Sequence, residues 1–415
     1  MVSSDTQAIL LLTAPLLNGH QAADGPSTLA PRQYRELARF LHERDLTPSA
    51  LIEPRNEPLV DACQSALDIP PLRPLLARGF ALAQAIERWG QRSIWVLSRA
   101  DTGYPRLLRQ RLGEAAPAVL YGCGDPRLLE RRGFAIVGSR DASEQVLAVA
   151  QRAAERACEA GYAVVSGGAR GVDQAAMRSA GGAGGQSIGV LADSLERAAV
   201  AAEHREGLAG GRLVLCSPYD PRAGFQAGHA MQRNKLIYAL ADAALVVNSD
   251  FQKGGTWAGA VEQIERLRFC PVFVASGTIH SKGLEALERK GALRWPEPGD
   301  ARAFEQAMQQ TKPVAAPTLF SDPQPVLDRT NGKAPAAQNA EDHGAATEAS
   351  VKETLMSTVR QVVLCLDMPV TEKSVSEALD VTKPQARRWL LSMCAAGDLR
   401  QLDRPVRYTN RTNGS

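Results

Sequence analysis

The sequence predicts an α/β protein with a Rossmann-like parallel sheet core, preceded by a helical domain and followed by a winged helix. Three observations carry this expectation. Short β-branched runs alternate with helix-length segments through the middle of the chain: "IWVL", "FAIVGS", "YAVVSG", "SIGVLA", "RLVLCS", "AALVVN" and "PVFVAS". Such alternation is the pattern of a parallel sheet with crossover helices. The chain before these runs shows helical periodicity alone. The chain after them passes through a Pro- and Ala-rich stretch into a helix-turn-helix-hairpin pattern.

Residues 1–90 are expected to form the helical domain. In "YRELARFLHERDL", Leu37, Phe40, Leu41 and Leu46 recur at near-helical spacing before a Thr-Pro stop. The earlier "AILLLTAPLL" follows Asp5, has no Lys or Arg ahead of it and contains Pro15, so it reads as a first helix and not as a signal peptide. Residues 91–310 hold the sheet. The helix between its second and third runs shows a buried face of Val146, Val149, Ala150, Ala153 and Ala157, ending before Gly161. Small alanines let such a helix sit close on a sheet.

Residues 311–350 lack any apolar stripe that could bury a core and read as a disordered linker. Residues 351–415 resume order: "SVSEALD", a turn, "PQARRWLLSMCAAGDL" started by Pro384, then a hairpin in "RQLDRPVRYT". Ala386, Trp389, Leu390 and Met393 form the inward stripe of the second helix. Arg387 and Arg388 are left toward solvent, where they could meet a DNA backbone or a protein partner.

With 44% hydrophobic residues in 415, the chain is an ordinary soluble globular protein. Its net charge of +3 is too mild to announce nucleic acid by itself. The seven cysteines include no C-x-x-C pair and the six histidines fall singly, so no metal, disulfide framework or redox centre is expected. No apolar run approaches the ~20 residues that span a bilayer. The expected location is the cytoplasm.

The candidate chemistry lies in glycine-rich turns. "SGGARG" has neither the G-x-G-x-x-G spacing of dinucleotide folds nor the lysine-ended loop that holds a triphosphate. It still suits an anion. Ser166, Gly167, Gly168 and Gly171 allow close backbone approach, and Arg170 adds a cation where a helix begins. Gly138, Ser139 and Arg140 follow another strand. Lys253, Gly254, Gly255 and Thr256 follow a third, and Arg233 and Lys235 flank Asn234 at an expected helix start. In open α/β sheets ligands gather at the carboxyl ends of strands, so these four segments are candidates for one phosphate-binding site. Asp173 reads as a capping or loop-bracing carboxylate. Glu262 reads as a hydrolase carboxylate or a solvated helix position, and Trp257 as a stacking ring or one packed beneath its helix. No catalytic residue is assigned.

These motifs resemble the DprA/Smf family of bacterial DNA-processing proteins. The opening segment "DTGYPRLLRQRLGEAAPAVLYGCGD" has Asp101, Tyr104, Pro105, Leu107, Pro117, Leu120, Tyr121 and Gly122 in the family's places. "AIVGSR", "VVSGGARGVDQAAM" and "QRNKLIYALAD" match three further elements. The resemblance implies a protein that binds single-stranded DNA in a positively charged pocket, forms a homodimer and hands the strand to the recombinase RecA, without a cofactor and without covalent chemistry.

The chain also departs from the family pattern. Met177 stands where histidine is usual, "GHAMQRN" lacks an aromatic-proline pair, and "GGTWAGA" replaces G-S-L-[IL]-T-A. The last is similar to the turn of the LOG proteins, which cleave nucleotide phosphoribosyl bonds. Two other readings therefore stand beside DNA processing in recombination or transformation. One is a nucleotide-binding enzyme or sensor of LOG-like type. The other is a role in antiphage defence, as an antitoxin or immunity protein with a toxin partner encoded nearby.

Overall fold

The computed structural model describes residues 2–16, 27–277, 279 and 281–310, then 370–372, 375, 383–395, 399–403 and 406–410. The chain forms two compact units, Val2–Pro323 and a second from Gln324 to Ser415.

The first unit is built on one nine-stranded sheet. Its strands are β1 (Ile94–Ser98), β2 (Val119–Gly124), β3 (Gly133–Val137), β4 (Ala163–Ser166), β5 (Ser187–Val190), β6 (Leu213–Ser217), β7 (Ala243–Val246), β8 (Val272–Val274) and β9 (Leu293–Arg294). Their order is β1-β2-β6-β5-β4-β3-β7-β8-β9. From β6 to β9 all neighbours are parallel. All seven expected runs are strands, but the sheet is mixed at one end: β2 runs antiparallel to both β1 and β6. β2 was not among the expected runs because Gly122 and Gly124 weaken its strand signal. The structure gives the reason for Gly122, since a Cβ there would overlap the Trp95 indole ring. Trp95 Nε1 donates to Gly124 O at 2.8 Å.

Helix Glu144–Glu159 buries Val146, Val149, Ala150, Ala153 and Ala157 as its spacing predicts, and Gly161 closes it at φ +79°. Helices Ser4–Thr13 and Pro31–His42 also form where expected. The first is capped by Ser3, whose hydroxyl accepts from Thr6 N, and its Ile9, Leu10, Leu11 and Leu12 are all buried. These side chains share one apolar cluster with Ile94, Val96, Val119, Tyr121, Leu213 and Leu215, so the N-terminal helices are packed onto the antiparallel end of the sheet. Trp89 of helix Gly79–Gly90 is 1% exposed and meets Tyr121 of β2 edge to face, with centroids 5.1 Å apart.

In the second unit, helix Lys383–Ala395 and the hairpin Leu399–Asp403 with Val406–Asn410 are described. Ala386, Trp389, Leu390 and Met393 are buried, as the stripe predicts. The expected linker 311–350 and most of the segment read as the first wing helix lie outside the described residues. Among the described residues, no helix is long and apolar enough to cross a membrane. Cys63, Cys123, Cys216 and Cys270 are buried free thiols. Burial pushes Cys123 up to about 11 and Cys216 and Cys270 to about 12.

Because Trp89 joins the helical layer to the sheet, Trp89→Ala is expected to destabilise the whole first unit by about 3–5 kcal/mol. Urea denaturation followed by far-UV circular dichroism checks this. A separate early transition for the N-terminal helices alone would contradict the shared core.

Candidate functional site

Three strand-end turns meet where the sheet's connectivity reverses, at β3 between its neighbours β4 and β7. Side chains and close approaches stitch them together. Ser139 N donates to Asn248 Oδ1 at 2.8 Å, and Thr256 Oγ1 donates to Gly138 O at 3.0 Å. Val172 N donates to Ser139 O at 3.3 Å. Gly138 leaves no room for a side chain: a Cβ would stand 2.6 Å from Val172 Cγ2 and 2.8 Å from Asn248 Oδ1. Gly171 is held at φ +87°, and a Cβ there would come 2.5 Å from the carbonyl oxygens of both Ser139 and Arg140. The glycines are thus required by approach and by backbone conformation together.

Beneath the turn after β4 lies a buried polar knot. Arg233, 5% exposed, donates through Nη1 to the carbonyls of Gly167 and Val190. Asp173 accepts from Gly167 N at 3.1 Å, the loop-bracing role its place at the start of helix Val172–Gly182 suggests. Burial raises the Asp173 carboxyl above its ordinary range, while Arg233 and the amides of Ala169, Gly167 and Gly138 pull it down. Burial also lowers Arg233. A guanidinium nevertheless stays charged at neutral pH.

Above the knot opens a cavity of about 260 Å³, lined by Arg140, Gly167, Gly168, Ala169, Arg170, Leu191, Ala192, Asp193, Phe225 and Arg233. Gly168 turns its wall at φ +67°. Phe225 is 53% exposed, and the Arg140 guanidinium lies 5.0 Å from its ring centroid. Arg170 pairs with Asp141 at 3.2 Å, but both are almost fully exposed, so this pair is weak and exchangeable. Cations, backbone turns and one aromatic face converge on a single recess.

Of the sequence candidates, Arg140, Gly167, Gly168, Arg170 and Arg233 line this recess, and Gly138, Ser139 and Gly171 shape it. Others are differently engaged. Ser166 is fully buried and its hydroxyl donates to Ile136 O at 2.6 Å across the sheet, which removes it from phosphate contact. Lys235 is absent from the lining and lies 3.3 Å from Glu262, which also meets Arg266 at 3.4 Å. Asn234 donates to Gly255 O at 3.1 Å and braces the turn, while Lys253, Gly254 and Gly255 remain exposed at the start of helix Gly254–Glu262. Met177 packs toward Gly189 of β5. In the second unit Arg387 is exposed, 3.5 Å from Glu372, and Arg388 shares its helix.

Sequence reasoning missed Phe225 and Asp193. The signal for Phe225 was an aromatic in the aperiodic loop "DPRAGFQAGH", where no helix or strand face could bury it.

The family profile described as DNA recombination-mediator protein A matches residues 95–309, more than half of the chain. The DNA processing protein DprA of Bacillus subtilis (strain 168) is 30% identical over 173 residues, 39% of this chain and 54% of that protein. A putative DNA processing protein DprA of Mycobacterium tuberculosis is 32% identical over 222 residues, 50% of this chain and 55% of that protein. The chain therefore spans about half the length of these curated relatives. Among solved structures, DNA processing protein A from Streptococcus pneumoniae shares the fold, with a TM-score of 0.55 at 21% identity over 74% of this chain and 98% of that one.

Gly171→Ala is expected to cost about 1–3 kcal/mol from the backbone alone, since the conformation there is one that side chains avoid. The approach to Ser139 O and Arg140 O adds to that. A thermal melt reads the loss. An unchanged melting temperature would show that the turn can open without cost.

Proposed function

The chain belongs to the DNA recombination-mediator protein A family, and from that premise we propose that it binds single-stranded DNA in the recess above Arg233. The observation that carries this reading is the exposed Phe225 ring lying beside the Arg140 guanidinium, within a cavity whose lining includes two glycines of one turn and three arginines against the single carboxylate of Asp193. A phosphate meets Arg140, Arg170 and the turn's amides, while an unpaired base stacks on Phe225. Duplex bases are already stacked and paired inward, so they cannot enter a recess of about 260 Å³. This gives preference for single strands with little dependence on sequence.

In this reading the chain mediates recombination as a cytoplasmic homodimer that delivers the strand to RecA. The recess binds and performs no covalent chemistry. Glu262, the carboxylate that would favour a nucleotide-cleaving enzyme, is engaged by Lys235 and Arg266 away from the lining, so the enzyme reading has the weaker support. The winged helix is a secondary DNA contact through Arg387 and Arg388.

Titrating single-stranded and duplex oligonucleotides across salt concentrations tests the proposal. Single strands should bind at least about tenfold tighter, with log K falling against log salt by roughly 0.7 per phosphate contact. Arg140→Glu and Arg170→Glu should flatten that slope. Phe225→Ala should weaken binding by about 1–3 kcal/mol at an unchanged slope. Equal affinity for duplex, or indifference to both charge reversals, would end the proposal.

A further inference from the structure

We propose that the end of β7 carries a second nucleobase subsite, built on Phe251 and Trp257, which a strand reaches only after crossing from the Phe225 recess. It rests on the single-strand reading above. Phe251 is 48% exposed in the loop before helix Gly254–Glu262, and its ring meets Trp257 edge to face, centroids 5.3 Å apart and planes at 72°. Trp257 is itself packed against the main core, so the exposed ring stands on a fixed support and not on a mobile loop tip. Between them Lys253 is exposed, flanked by Gln252 at φ +55° and Gly254 at φ +81°. A non-glycine residue seldom occupies the left-handed region, and here the pair of turns sets an exposed cation two positions along the chain from the exposed ring. Cation plus supported ring is the combination that takes a phosphate and its unpaired base.

The placement of the two rings makes one strand the occupant. Phe225 lies in the loop after β6 and Phe251 in the loop after β7, at opposite ends of the row β6-β5-β4-β3-β7. Four strand spacings of ~4.8 Å separate the ends of β6 and β7, or about 19 Å along the sheet edge, and the Phe225 ring leans into that interval to lie 5.0 Å from the Arg140 guanidinium. Arg170 and Arg140 follow β4 and β3 within that interval, supplying cations along the path. The turns are held in register by Thr256 on Gly138 O and Asn234 on Gly255 O, at 3.0 and 3.1 Å. A dinucleotide has one internucleotide phosphate, too few to engage both rings together with Arg140, Arg170 and Lys253. A decamer spans them.

The test compares a thymidine dinucleotide with a thymidine decamer on the full chain. The wild type should bind the decamer more tightly than the number of available registers explains. Phe251→Ala should remove about tenfold of the decamer's affinity and leave the dinucleotide unaffected, and Phe251→Trp should restore it. The decamer alone should quench a tryptophan emission that Trp257→Phe lacks. If Phe251→Ala weakens both ligands alike or neither, the second subsite is wrong. It is also wrong if that variant keeps the decamer but lowers self-association, since the ring would then serve a protein interface. A wild type that binds both lengths equally removes this subsite alone, whereas one that binds neither removes the single-strand reading with it.

Discussion

One buried guanidinium organises the site. Arg233 reaches up from helix Ala227–Ala239 to the carbonyls that end β4 and β5, beneath the turn through which the chain leaves β4. Taking a charge out of water is costly, and the surroundings offset the cost with two carbonyls and the nearby Asp173 carboxylate. Asp173 in turn holds the Gly167 amide. The glycine turn is therefore tensioned from below, by Asp173 outside the cavity lining and by Arg233 at its floor, and what faces upward is backbone in a set conformation. Gly167 must remain glycine for the same reason, because a Cβ would overlap Arg233 Nη1.

The opposite wall is anchored from a different direction. Ser194 N donates to Ala223 O and Glu196 N to Pro221 O, both at 2.9 Å, which fastens the loop carrying Phe225 to the turn after β5. Glu196 then lies 3.1 Å from Arg92, 3.8 Å from Arg88 and 3.9 Å from Arg222, with its side chain only 11% exposed. Arg88 and Arg92 come from the last turn of helix Gly79–Gly90 and the residues just after it. The N-terminal layer thus reaches the recess through one carboxylate, although none of its residues lines the cavity.

The sheet was legible because the parallel strands β3 to β8 are buried on both faces and read as continuous apolar runs. β2 was not, since its glycines serve the Trp95 ring and its sign appears only once strands are neighbours. The convergence of the turns was legible because glycine and arginine recur together at the ends of neighbouring strands. The assignments that changed did so for short-range reasons: the Ser166 hydroxyl had a carbonyl of β3 within reach, and Lys235 had Glu262. Neither pairing follows from spacing, since Ile136 is thirty positions from Ser166. Phe225 escaped because loops carry no period against which an unburied aromatic stands out.

The far end of the sheet has a consequence of its own. β9 is only two residues long, both exposed, and its Arg294 lies 2.5 Å from Glu288. A charged strand of that length offers no row of free amides and carbonyls for another chain to extend. Where copies of the chain meet at this edge, the encounter has no strand to extend and ends in dissociation and not in a growing fibre.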